Sequence, residues 1–422
     1  MMPLDHVQPH SMPMRHPEHS IVRSYPESRQ RVRSVSMAPT VRARSGRASA
    51  APSPSGGTSS SPQACVAFDA DGTLAIRGPG LNGERVKMSM WVPCSPSGEE
   101  QQQEAVTTYA HRVSLAKVSK VLGGFTIPAF FDKVTALPAA SGIVASSAAS
   151  SADAERGGKA VILLHGYLGS RYDLVDFAEA LVKEGFIVIA PEFADSRSDP
   201  ARSLASRGAI LEEAVALLAT RFGIARADVA LIGHSAGAGT ALQAPGRFAA
   251  RVLVAGFRSD KPSDAAEDPL LVIASGGDRV ISLYPTEGGR FGPFEGIKSA
   301  VLNFRRRSSD GSALNEDVVA WATFDGSPES LRTLAAQAPR AAFVAYEGEG
   351  APSHISFLSA RTNDVLVQTL GPLLPVARLL DVPVLDFDVY ERTRDSDRVL
   401  GDLVPAVRAW LIAQMAGQTA KL

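Results

Sequence analysis

Gly233-His234-Ser235-Ala236-Gly237 sets a serine between two glycines, each two positions away. This spacing suits a strand that turns sharply into a helix: side chains at the outer positions would clash, and the serine hydroxyl is left exposed above the turn. In a chain with 36 glycines the pentapeptide alone has roughly a one in four chance of arising by accident. Its surroundings add the weight. Val229-Ala230-Leu231-Ile232 before it reads as a buried strand, and the run from Ala236 to Leu242 can open a helix. A serine held in this way attacks a carbonyl carbon if a histidine takes its proton and a carboxylate orients that histidine.

The order that accompanies such a turn is nucleophile, acid, histidine. Outside the first 27 residues the histidines are His111, His165, His234 and His354. His111 and His165 precede the serine, and His234 lies within the turn with its side chain expected to point away from the reaction. His354 is left, just beyond the apolar strand Ala342-Phe343-Val344-Ala345-Tyr346, where the base belongs. For the acid, Asp278 closes Ser275-Gly276-Gly277-Asp278 after the strand from Leu270 to Ala274, while Asp260 lies five residues beyond the preceding strand. Position favours Asp278, with Asp260 as the alternative. The tetrahedral oxyanion needs two donors, and the backbone N–H groups of Ala236 and of Tyr167, in the loop His165-Gly166-Tyr167-Leu168, are the expected pair. This chemistry calls for neither a cofactor nor a metal.

These groups must be carried by a scaffold that brings distant loops together. Short apolar runs at Ala160–Leu164, Phe186–Ala190 (closed by Pro191), Val229–Ile232, Val252–Ala255, Leu270–Ala274 and Ala342–Tyr346 read as strands. Helical spacing runs from Tyr172 to Glu184, and Ile210, Leu211, Ala214, Val215, Leu217, Leu218 and Phe222 mark one face of a second helix. Apolar strands alternating with helices imply an α/β fold, a mostly parallel doubly wound sheet covered on both faces. In such a sheet the reactive groups gather at the carboxyl ends of the strands.

With these residues in place, the stretch from about Gly158 to Leu358 resembles the α/β-hydrolase superfamily. The loop His165-Gly166-Tyr167 with Tyr172, and the run from Glu184 to Pro191, are similar to a segment shared by chlorophyllases, platelet-activating-factor acetylhydrolases and cutinase-like polyester hydrolases. The resemblance implies a serine esterase or lipase with Ser235, Asp278 and His354 as its triad and an apolar or lipid-like ester as its substrate. It also implies two further readings: a chlorophyllase acting on a pigment ester, or an inactive relative that only binds. The sequence departs from chlorophyllases at Ala236 and Ala238. At Ala255-Gly256-Phe257 it lacks the acid that they and the acetylhydrolases carry there.

Composition narrows the partners. The 422 residues are 45% hydrophobic and 21% charged, with 43 Lys+Arg against 44 Asp+Glu, so no excess of positive charge is present to hold a nucleic acid. Cys65 and Cys94 are too few for a disulfide framework or a four-cysteine zinc site. No run of ~18 apolar residues free of charge is present, so no spanning helix is expected, while contact with a membrane surface stays open. The expected partner is a small-molecule ester.

The charge is unevenly distributed. From Ser28 through Phe68 there is no acid, yet Arg29, Arg31, Arg33, Arg42, Arg44 and Arg47 stand among many Ser, Ala and Pro. Residues 1–63 therefore read as a disordered leader and a transit peptide, addressed to the chloroplast or other plastid with the mitochondrion as alternative. Met37 offers a second start. Residues 64–138 are expected to supply strands leading into the sheet, 139–158 an Ala/Ser/Gly-rich linker, and 159–422 the catalytic domain, with an insertion at 282–323 that reads as a lid or a surface elaboration around Arg305-Arg306-Arg307. The run Phe68-Asp69-Ala70-Asp71-Gly72-Thr73-Leu74 resembles the first motif of haloacid dehalogenase-like phosphatases. A hairpin with its turn at Asp71-Gly72, pairing Val66–Phe68 with Leu74–Ile76, accounts for it more simply.

Overall fold

The computed structural model describes residues 63–67, 86–94, 108–114, 132–140, 143–146, 158–167, 169–193, 200–257, 267–287, 295–301, 303, 321–371, 375 and 395–419. All of them fall within the compact unit Ser59–Leu422. The leader, the Asp69/Asp71 motif, Asp260 and Arg305–Arg307 lie outside the described residues.

The strands are β1 (Gln63–Ala67), β2 (Met88–Cys94), β3 (Thr108–Ser114), β4 (Asp132–Pro138), β5 (Ile143–Ser146), β6 (Ala160–Leu164), β7 (Ile187–Pro191), β8 (Val229–His234), β9 (Ala250–Val254), β10 (Leu270–Ser275), β11 (Trp321–Phe324) and β12 (Ala341–Tyr346). The helices are α1 (Val175–Val182), α2 (Pro200–Phe222), α3 (Ala236–Gln243), α4 (Pro328–Gln337), α5 (Ala360–Leu370) and α6 (Ser396–Thr419). The main sheet has ten strands in the order β11-β12-β10-β9-β8-β6-β7-β2-β1-β5. Pairing is parallel except where β2 meets β7 and β1. The expected α/β sheet is present, and every strand read from the catalytic region is in it.

The strands read as continuous apolar runs because both faces are covered. Val161 and Leu163 belong to one buried cluster, and Ala160, Ile162 and Leu164 to the other. β6 pairs with β7 on one side and β8 on the other, so the strand order reverses there and opens a crevice at the carboxyl ends of β6 and β8. The loop with Tyr167 and the turn with Ser235 leave from those two ends.

The N-terminal segments depart from expectation in two ways. β1 and β2 join the sheet, but β3 and β4 form a separate two-stranded sheet. The stretch expected as a linker carries β5, which lies parallel to β1 at the sheet edge, with Ile143 buried. Its Ile143-Val144 pair is β-branched and suits a strand despite the Ala/Ser composition around it. Val66 and Ala67 pair on both edges, Val66 facing Trp91 on β2 and Ala145 on β5, while the second arm expected for the hairpin, Leu74–Ile76, lies outside the described residues. The β3–β4 pair is held to the main body by a buried polar cluster. Tyr109 Oη donates to Glu179 Oε1 (2.8 Å), Trp91 Nε1 donates to Tyr109 Oη (3.2 Å), and Arg361 bridges Glu179 and Asp176.

The segment Ser396–Ala416 of α6 is long and apolar enough to cross a membrane by composition. Here it is a core helix: Leu403, Val407, Trp410 and Leu411 are buried, and Trp410 Nε1 donates to the carbonyl of Pro339 (2.8 Å).

Candidate active site

Ser235 stands at the junction of β8 and α3 with φ 55° and ψ −117°, a conformation that L side chains rarely adopt. The surrounding chain enforces it. Ser235 N–H donates to the carbonyl of Val254 on the neighbouring strand (2.9 Å), and its own carbonyl accepts from Ala238 N–H (3.0 Å). Glycines make the approach feasible. A Cβ on Gly237 would lie 1.9 Å from the carbonyl oxygen of Leu164, one on Gly233 would meet the Gly237 carbonyl at 2.3 Å, and one on Gly256 would meet the Ser235 carbonyl at 2.5 Å. Gly166 abuts the serine from the other loop, at 3.2 Å from Ser235 Cβ by the same construction.

Asp278 and His354 are in direct contact. Asp278 Oδ2 accepts from His354 Nδ1 at 2.7 Å, and both side chains are buried. Asp278 Oδ1 accepts two backbone hydrogen bonds, from Val280 N–H and Ile281 N–H, each 2.8 Å. One carboxylate oxygen thus fixes the loop and the other is free to orient the imidazole. Because a carboxylate only accepts, His354 Nδ1 carries a hydrogen, and Nε2 is the ring nitrogen not engaged by Asp278.

The loops of acid and base are stitched together. Ser275 Oγ donates to the carbonyl of Pro352 (2.6 Å), and a Cβ on Gly277 would sit 2.1 Å from the carbonyl of Ala351. His354 itself begins a short 3₁₀ turn, His354–Phe357, closed by reciprocal contacts between Ser353 and Ser356. Asn363 Nδ2 from α5 then holds the carbonyl of Ile355 (2.7 Å).

Of the expected oxyanion donors, Ala236 is the first residue of α3, where an N–H has no acceptor within its own helix. Tyr167 follows β6 at the same sheet edge.

His234 has a role the sequence reading missed. Its Nε2 donates to the carbonyl of His354 (3.0 Å), and the two rings are 4.7 Å apart. Burial, and then the neighbouring His354, hold its pKa well below the usual histidine value. The available signal was its place beside the nucleophile in a turn whose outer face must pack on something. The other two described histidines, His111 and His165, are buried. His111 is buried edge-on to Tyr172 (6.2 Å), and His165 Nε2 accepts from Phe193 N–H (2.9 Å).

A reversing parallel sheet, a strained serine turn after β8, an acid after β10 and a histidine after β12 are the marks of the α/β-hydrolase class. The chain belongs to the alpha/beta hydrolase family, whose sequence model matches residues 161–419. No curated protein matches it significantly. Among solved structures it is similar to a ferulic acid esterase from Streptomyces cinnamoneus, with 15% identity, 85% of this chain and 92% of that one covered, and a TM-score of 0.45. It is also similar to a phospholipase/carboxylesterase from Dyadobacter fermentans, with 18% identity, coverage of 36% and 77%, and a TM-score of 0.27. A carboxylesterase from Bacillus cereus gives 16% identity, 37% and 75% coverage, and a TM-score of 0.27.

Proposed function

We propose that the protein is a serine hydrolase that cleaves a carboxylic ester, with Ser235 as nucleophile, His354 as general base and acid, and Asp278 as the residue that orients and charges the histidine. The observation that carries this reading is the 2.7 Å contact of His354 Nδ1 with Asp278 Oδ2, in a fold that holds Ser235 in a strained turn. In the reaction, Ser235 Oγ attacks the ester carbonyl while His354 Nε2 takes its proton. The oxyanion is met by the N–H groups of Ala236 and Tyr167, the alcohol leaves with the proton from His354, and water attacks the acyl-enzyme by the same route in reverse. Labelling with a fluorophosphonate, followed by turnover of p-nitrophenyl esters of rising chain length, tests it. A folded protein that is labelled elsewhere than Ser235, or not at all, overturns the assignment.

The substrate is read as an apolar or lipid-like ester. A pigment ester is supported only through the proposed plastid address, and the lack of an acid at Ala255-Gly256-Phe257 argues against it.

A further inference from the structure

Arg207 is 1% exposed, on the face of α2 that also carries Ile210, Leu211 and Ala214. A guanidinium on an apolar helix face is costly unless its donors are used. Here Nη1 donates to the carbonyl of His165 (2.8 Å) and Nη2 to the carbonyl of Gly166 (2.9 Å), while the guanidinium lies 4.3 Å over the ring of Phe193. The Gly166 oxygen is gripped twice more, by His165 Nδ1 (2.7 Å) and by Gly169 N–H (3.2 Å). His165 is itself fixed, since its Nε2 accepts from Phe193 N–H.

Three donors therefore converge on the carbonyl of one peptide, and the N–H of that peptide belongs to Tyr167. The bond is trans, so the C=O and N–H point to opposite sides. Fixing the Gly166 oxygen toward Arg207 turns the Tyr167 N–H away from Arg207. The peptide lies beside Ser235: a Cβ added at Gly166 would be 3.2 Å from Ser235 Cβ. Gly166 lacks the Cβ that would resist a flip of this peptide, and a flip would put a carbonyl where negative charge develops.

We propose that Arg207 is a positioning residue for the oxyanion hole: it locks the Gly166–Tyr167 peptide so that the Tyr167 N–H serves as a donor. This inference rests on the serine-hydrolase reading, and its test separates the two. The wild-type protein is first assayed with p-nitrophenyl butyrate and a fluorophosphonate; absence of both reactions is a failure of that reading, whatever Arg207 does. In an active protein, Arg207→Met is expected to lower kcat by about 10- to 100-fold, approaching the loss seen when one oxyanion donor is removed, with KM changed by less than about threefold. Affinity for a trifluoromethyl ketone, which the serine converts to a tetrahedral oxyanion, should fall by the same factor as kcat/KM. A merely structural role would not link those two losses. Arg207→Lys, which keeps the charge but cannot fork onto both carbonyls, should fall between, and it decides the matter if the methionine variant does not fold. Wild-type kcat and ketone affinity in a folded variant, or a loss confined to KM, overturns the proposal.

Discussion

His234 Nε2 lies 3.0 Å from the carbonyl oxygen of His354, so the residue just before Ser235 braces the backbone of His354. A carbonyl only accepts, which assigns the ring proton to Nε2 and leaves Nδ1 bare in a buried setting without a hydrogen-bond partner. Protonating Nδ1 would place a cation there with nothing to meet it, in agreement with the depressed pKa.

A pH dependence of stability follows. The folded state holds His234 neutral, while the unfolded chain takes up a proton near the ordinary value of ~6.5. Above that pH neither state binds the proton and the group has no effect. As pH falls below it, the unfolded state gains, and this residue alone should subtract up to about 1.4 kcal/mol per pH unit until the depressed folded-state value is reached. His234→Gln cannot titrate, so urea unfolding at pH 7.5, 6.5 and 5.5 should show its stability falling less steeply than that of the wild type. Parallel curves would refute the assignment.

Ser235→Ala should abolish fluorophosphonate labelling and lower kcat for ester hydrolysis by ~10³-fold or more, with the far-ultraviolet circular dichroism of the wild type retained. Unchanged turnover in the variant would transfer the chemistry to another residue. Retained ligand affinity with no turnover by either protein would favour a binding protein on this fold.

Asp278→Asn should lower kcat by about 10⁴-fold with KM little changed, because an amide in place of the carboxylate favours the wrong histidine tautomer. Asp260→Asn should remain within about threefold of wild type. Steady-state kinetics of both variants decide between the two acids, and the opposite pattern would move the acid to the segment after β9.

Gly237→Ala adds a carbon that would lie 1.9 Å from the Leu164 oxygen, inside van der Waals contact with rigid backbone. Forced overpacking typically costs ~1–3 kcal/mol, and this site has no flexible side chain to yield. Thermal unfolding should show a fall of several degrees or more, or no folded protein. Gly185→Ala is a useful contrast: no atom lies within 4 Å of its Cβ, and the strain of φ 89° is the main cost. Equal melting temperatures for wild type and Gly237→Ala would contradict the packing.

We propose plastid import with removal of the acid-poor leader. If the leader is removed, the cut should fall before Gln63, because β1 begins there and pairs on both edges, with β2 and β5. N-terminal sequencing of protein purified from its native cell, with the compartment recorded, tests both points. An intact Met1 or Met37 in a cytosolic fraction sinks the address, and a mature start beyond Ala67 contradicts the role of β1.

The catalytic half of the fold was legible because each of its strands is buried on both faces and therefore written as an unbroken apolar run, as in Ala160–Leu164. That Asp278 and His354 would lie near one another could be read ahead because both follow such strands, and their side chains are 2.7 Å apart. The N-terminal half was not. β5 is a four-residue edge strand within an Ala/Ser stretch, and the partners of β1 are set by tertiary pairing that no local pattern records. Arg207 was hidden for a different reason: its contacts are to backbone oxygens, which have no signature in the identities of their residues.

The glycines around Ser235 also bear on how this protein could be re-engineered. Gly233, Gly237 and Gly256 each face a backbone atom, and Gly166 the side chains of His234 and Ser235, that a methyl group would strike or crowd, so none of the four can be exchanged for a larger residue. Selectivity for one acyl chain over another has then to be sought at positions other than these four glycines. A library that spared these four positions would keep the turn intact, whereas one that included them would mostly sample chains that cannot close it.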